Sequence, residues 1–151
     1  MAWSALLLVL HLLSAVIWVG GMFFALLVLR PSLSVLAPPQ RLALHGQVFR
    51  RFFLVVWHVM PLQLLTGYAM LFGVYGGFGS VGWNVHVMQL LGLIMAAIFV
   101  AVVFGPWRQM RVSTDREVVI GAVDTIRRMI TLNLVLGLLT VAVAALNPVG
   151  R

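Results

Sequence analysis

From Trp3 to Leu29 the chain carries no formally charged side chain. A helix of about 20 apolar residues crosses a bilayer core, so this stretch is long enough to span one. Into it the sequence places one imidazole, His11. On a helix, residues 11, 14, 15, 18, 22 and 25 share a face. The His11 imidazole, the Ser14 hydroxyl and the Trp18 indole therefore address the same neighbour. A polar group turned toward lipid is costly, so this face is expected to look inward.

The rest of the chain has the same character. Of 151 residues, 63% are hydrophobic and 9% charged, and the mean hydropathy is +1.12. A soluble domain of this size cannot bury so much apolar surface, which makes the class integral membrane. The net charge of +7 comes from arginine alone, as the chain has no lysine. In a membrane protein that balance reports orientation rather than nucleic-acid binding. With no cysteine, disulfides, iron–sulfur clusters and thiolate metal sites are excluded. The first apolar run has no basic stretch ahead of it and is too long for a signal-peptide core, so a cleavable signal is not expected.

Three further apolar runs follow, and the expected spans are 3–29, 52–72, 85–107 and 115–146, in one domain of residues 1–151. The fold class is all-α: an integral membrane four-helix bundle with short interfacial helical segments on the cytoplasmic side. One such segment, Gln40 to Arg51, has Leu42, His45 and Phe49 at helical spacing among arginines, as a helix lying on anionic headgroups would. Pro61 is expected to kink the second helix near His58. The connection from Gly73 to Asn84 holds five glycines and no charge, and reads as a turn. Thr114 and Glu117 have the spacing of a capping box at the start of the fourth helix, along which Asp124 can pair with Arg128. Small residues at Asn133, Gly137, Thr140 and Ala144 mark a packed face.

Arginines crowd the first and third connections and are absent from the second. Both basic connections are thus expected in the cytoplasm, with the N- and C-termini periplasmic. From helix midpoints, His11 lies about 8 Å and His86 about 13 Å from the midplane on the outer side, and His58 about 7 Å on the inner side. Two imidazoles on facing helices at similar depth suit haem b, whose iron takes neutral nitrogens on both faces. The expected axial ligands are His11 and His86, with His58 as alternative ligand. Trp18 and Gly21 belong to the same cofactor site, the glycine by admitting a close neighbour. Trp18 also reads as an ordinary packing residue, and the four histidines as interhelical hydrogen-bonding groups. His58 and Asn133 share a depth and could bond each other. Copper is the competing ligand: imidazole and thioether select Cu(I), and Met70 and Met88 lie near the His86 level.

His11 followed by Trp18-Val19-Gly20-Gly21, the Arg30-Pro31 exit, Arg50-Arg51-Phe52-Phe53, His86, and Arg127-Arg128 ahead of Asn133-Leu134 resemble the CopD-type copper-resistance membrane domain. The resemblance implies a bacterial inner-membrane protein linked to copper. His11 and the Trp-x-Gly step are also similar to HemJ-type protoporphyrinogen oxidases, which bind haem b through membrane histidines. Larger CopD proteins have further membrane helices or a periplasmic copper module, neither of which is in these 151 residues, and the HemJ pattern uses a lysine that this chain lacks. The functions left open are a b-type haem protein in electron transfer, a copper-handling membrane protein without haem, and a protoporphyrinogen oxidase. The expected partners are the lipid bilayer, quinone or a periplasmic redox or copper protein, and a second copy in a homo-oligomer, with no nucleic acid.

Overall fold

A computed structural model describes residues 2–146. Four helices are long and apolar enough to cross a membrane, within the spans Ala2–Val35, Pro38–Gly73, Trp83–Val112 and Arg116–Leu146. Their principal α-helical parts are α1 (Ala2–Phe23), α2 (Pro38–Gly73), α3 (Trp83–Val102) and α4 (Arg116–Leu146). No strand occurs among the described residues. The molecule is a multi-pass membrane bundle, and the large apolar side chains left outside, such as Leu12, Val16, Leu65 and Leu138, are the face that lipid covers.

The helix ends depart from the sequence reading for local reasons. After Phe23 the first helix continues through a wider π-helical stretch, Phe24–Leu29, into a short turn at Arg30–Ser32. Segment 40–51 is not a separate interfacial helix but the first part of the 36-residue α2. Nothing between Arg51 and Phe52 breaks the backbone, and Pro38-Pro39 start it where proline's missing N–H is harmless. Arg41 fastens the preceding turn by donating to the carbonyls of Leu36 (2.6 Å) and Ser34 (2.9 Å). Helix α2 also runs unbroken through Pro61. Trp83–Val102 passes into a π-helical stretch at Val103–Trp107, with Gly105 off helical geometry ahead of Pro106. The fourth helix begins one residue later than the capping box implies. Asp115, not Thr114, caps it, accepting from the Glu117 N–H at 2.9 Å. Asp124 pairs with Arg127 at 2.9 Å rather than with Arg128.

The glycine-rich connection is a tight turn. The N–H groups of Val74 and Tyr75 return to the Met70 carbonyl and that of Gly77 to Leu71. Gly76 and Gly77 have φ of 80° and 101°, a region costly for any residue with a Cβ.

Helix α1 packs along α2 and α3 along α4, while α1 also touches α4. Lipid tails are as apolar as leucine, so such packing rests on close approach and hydrogen bonds. Glycines provide the approach. A Cβ at Gly137 of α4 would lie 2.8 Å from Val19 Cγ2 and 3.1 Å from Met95 Cε, and one at Gly21 would lie 2.6 Å from the Phe52 ring. Aromatic rings join α2 to the third span: Phe53 meets Phe99 and Trp107 edge-on, with centroids 5.9 and 5.4 Å apart. Trp18 and Met22 lie in this core with Val56 and Ile126, so Trp18 is a packing residue. Every described arginine stands at the end of the bundle where α1 passes to α2 and the third span to α4.

Candidate functional site in the interface of α1 and α2

Ser14, Trp18 and Met22, at four-residue spacing, are the buried residues of α1, which is the inward face expected from the sequence. His11 lies one turn before Ser14 on that face and is half-buried. Its neighbour is α2. The His11 ring lies over Gly67, where a Cβ would come within 3.1 Å of Cε1. A side chain at 67 would push the ring back by a few tenths of an ångström, so glycine lets it lie close to the α2 backbone.

Both ring nitrogens are engaged. Nδ1 is 3.0 Å from Thr66 Oγ1, and Nε2 is 2.9 Å from Gln63 Nε2. Thr66 Oγ1 can donate its single proton to the Leu62 carbonyl at 2.7 Å, with Gln63 O at 3.2 Å. Run in that direction, the chain has Nδ1–H donating to Thr66 and Nε2 accepting from the Gln63 amide; run in the other, Thr66 donates to Nδ1 and Nε2–H to Gln63 Oε1. Either direction holds one proton on the ring. In the first, the unbalanced atom is Gln63 Oε1, buried and without a donor among the described residues. A buried acceptor left unpaired costs about 1–3 kcal/mol, so the amide stands at a point where a small rearrangement is inexpensive.

Toward the glycine turn, the same interface opens into a cleft of ≈ 250 Å³ lined by Ser4, Ala5, Leu8, Met70, Val74 and Tyr75. Leu8 lies one turn before His11 on α1, and Met70 one turn beyond Thr66 on α2. Residues 63, 66 and 70 follow the i, i+3, i+7 spacing of one helix face, so the cleft leads toward the His11 level with a buried methionine on its α2 wall.

The other sequence-derived site residues lie elsewhere. His86 is exposed on α3 and stacks on Phe78 with centroids 6.1 Å apart, so each member of the expected axial pair has a different neighbour. His58 is exposed, its Nδ1 2.8 Å from the Leu54 carbonyl. It makes no bond to Asn133, which is buried and whose Nδ2 donates instead to the Met95 carbonyl at 3.2 Å. Gly21 receives the Phe52 ring, an approach between helices. His45 is half-buried at the basic end, stacked on Phe49. Among the described residues no group of three or more His, Asp or Glu side chains is placed to hold a metal ion. Haem b between His11 and His86 does not fit this arrangement, because both His11 nitrogens face α2. Thr66 and Gly67 escaped the sequence reading, and Met70 entered it only beside His86, although a polar and small face at 63, 66, 67 and 70 within an apolar run was there to be seen.

No curated protein and no solved structure matches the chain. A family model does: residues 46–147 match the one described as Copper resistance protein D. The match takes in α2 from Gly46 onward and then α3 and α4, so the α2 side of the His11 site lies inside it. The chain belongs to the CopD family.

Proposed function

We propose that this protein handles copper in a bacterial cytoplasmic membrane, taking Cu(I) as cargo at His11. The observation that carries the reading is the engagement of both ring nitrogens of His11 by α2, Nδ1 3.0 Å from Thr66 Oγ1 and Nε2 2.9 Å from the Gln63 amide. With Thr66 as acceptor, Nδ1 keeps the proton and Nε2 is the ligating atom, the arrangement by which an outer partner orients a metal-binding histidine. Gln63 covers the Nε2 lone pair with a neutral hydrogen bond, whose net worth is about 1 kcal/mol. Rotation of the Gln63 side chain uncovers the nitrogen, and a turn of the His11 ring then brings it toward Met70, which lies two turns, about 10 Å, along α2 from Gln63. Met70 supplies a thioether on the path from the cleft, and imidazole with thioether is a donor set that suits Cu(I). The family's name supplies the metal, and the donor set agrees with it.

Orientation follows the arginines. With the basic end in the cytoplasm and the glycine turn in the periplasm, the cleft faces the side from which a periplasmic copper protein would deliver the ion. Two neutral donors bind a monovalent soft cation without bringing a second charge into the bilayer, which keeps release within reach.

Titration of the detergent-purified chain with Cu(I), in competition with a chromophoric Cu(I) chelator, tests this. The wild type withdraws the ion from the chelator. His11→Ala weakens binding by about a hundredfold or more, beyond the ~10–100-fold that loss of an outer-shell partner costs. Unchanged affinity in His11→Ala would refute the site. A purified protein with a haem absorption band that this variant loses would replace copper with porphyrin.

A further inference from the structure

At the basic end, the π-helical stretch after α1 and the first half of α2 meet α4 around a second cavity, far from His11. Arg30, His45 and Arg127 line it, above apolar walls that include Leu26, Phe49 and Ile130. The two guanidinium groups are close enough to act on each other and on the His45 ring electrostatically. Their only acidic neighbour in this exchange is Asp124, which is 54% exposed and takes a single Arg127 N–H, on Nη1. Arg127 itself is 24% exposed, and its Nε–H is buried with no acceptor among the described residues. Arg30 takes part in no ion pair among the described residues. Two arginines converging on one cavity repel each other, and a buried guanidinium donor without an acceptor is costly. An anion at the mouth answers both.

We propose that this cavity is a binding site for the phosphodiester of an anionic phospholipid. The free volume, ≈ 20 Å³, admits about one oxygen atom; the headgroup therefore sits at the mouth and directs one phosphate oxygen to the Arg127 Nε–H. The second arginine, Arg30, closes the first span where its uncharged run ends, which is the depth of headgroups. The acyl chains stay in the surrounding bilayer, beside the half-buried Leu26 and Leu29 at the cavity's edge, which favours lipid over a free phosphate ion. His45 adds a ring nitrogen at the same rim. Guanidinium groups are suited to the task, since they offer a fork of donors and stay charged.

The experiment uses the full chain, delipidated in neutral detergent, with thermal melting followed on addition of short-chain phosphatidylglycerol, short-chain phosphatidylcholine or inorganic phosphate. Phosphatidylglycerol raises the melting temperature saturably, and the other two do so only at much higher concentration. Arg127→Gln and Arg30→Gln each weaken the phosphatidylglycerol response about tenfold, the loss of one charge-assisted hydrogen bond. Arg127→Lys, which keeps the charge and drops the Nε donor, falls between. Arg111→Gln, whose guanidinium lies over the Trp107 ring 5.9 Å away, leaves the response unchanged. Inorganic phosphate matching the lipid at equal concentration would overturn the lipid assignment. No lipid response, or an equal loss in Arg111→Gln, would overturn the site.

Discussion

One imidazole, its two partners and the glycine beneath it decide what the α1–α2 interface can do. In the proposed site Thr66 has two duties: its hydroxyl bonds the Leu62 carbonyl at 2.7 Å, and its oxygen, 3.0 Å from His11 Nδ1, is the acceptor that keeps the ring proton there. Thr66→Val keeps the shape and removes both. The Nδ1–H then has no acceptor, at a cost of about 1–3 kcal/mol, and the tautomer is no longer imposed. The expected result is a lower melting temperature together with Cu(I) affinity reduced about 10–100-fold, less than for His11→Ala. If Thr66→Val melts lower yet binds Cu(I) like the wild type, Thr66 supports the fold alone. At this scale the sequence was informative in one direction only. A histidine in an uncharged run announces a polar site, and the inward face of Ser14, Trp18 and Met22 was legible from spacing. The partner was not. His86 was paired with His11 because depth along a helix can be counted from sequence, whereas rotation about the axis is set by contacts. Here the contact is the bare backbone at Gly67, which draws the His11 ring to α2.

At the scale of elements, the apolar runs located all four spans, since length and lack of charge are what a bilayer demands. Their ends were less legible. Arg50 and Arg51 suggested a break that the backbone does not make, because charged side chains interrupt hydropathy without interrupting hydrogen bonds. The start of α4 shows the same limit on a smaller scale: Thr114 and Asp115 are both good caps, and only the backbone path chooses Asp115. Asp115→Ala is therefore expected to cost about 1 kcal/mol, read as a fall in the unfolding midpoint, while Thr114→Ala changes it little. Equal losses from both variants would return the cap to Thr114.

For the whole molecule, the arginines divide the bundle into a basic end and an uncharged end, and the two proposed sites lie one at each. The lipid site needs the headgroup depth of the basic end, and the Cu(I) cleft opens toward the glycine turn. The orientation that follows from the charge bias predicts that Ser80→Cys, in the exposed turn, reacts with a membrane-impermeant thiol reagent in intact cells. Thr114→Cys, at the basic end, reacts only after the membrane is opened. The reverse pattern would turn the protein over and place the cleft on the cytoplasmic side.

X-ray absorption at the copper K-edge, on Cu(I)-loaded wild-type protein and the His11→Ala and Met70→Leu variants, tests the central claim most directly. The account predicts a low-coordinate Cu(I) edge with both an imidazole nitrogen and a thioether sulfur in the first shell. It further predicts that the imidazole scattering disappears in His11→Ala and the sulfur scattering in Met70→Leu. A first shell that is the same in all three proteins would contradict it.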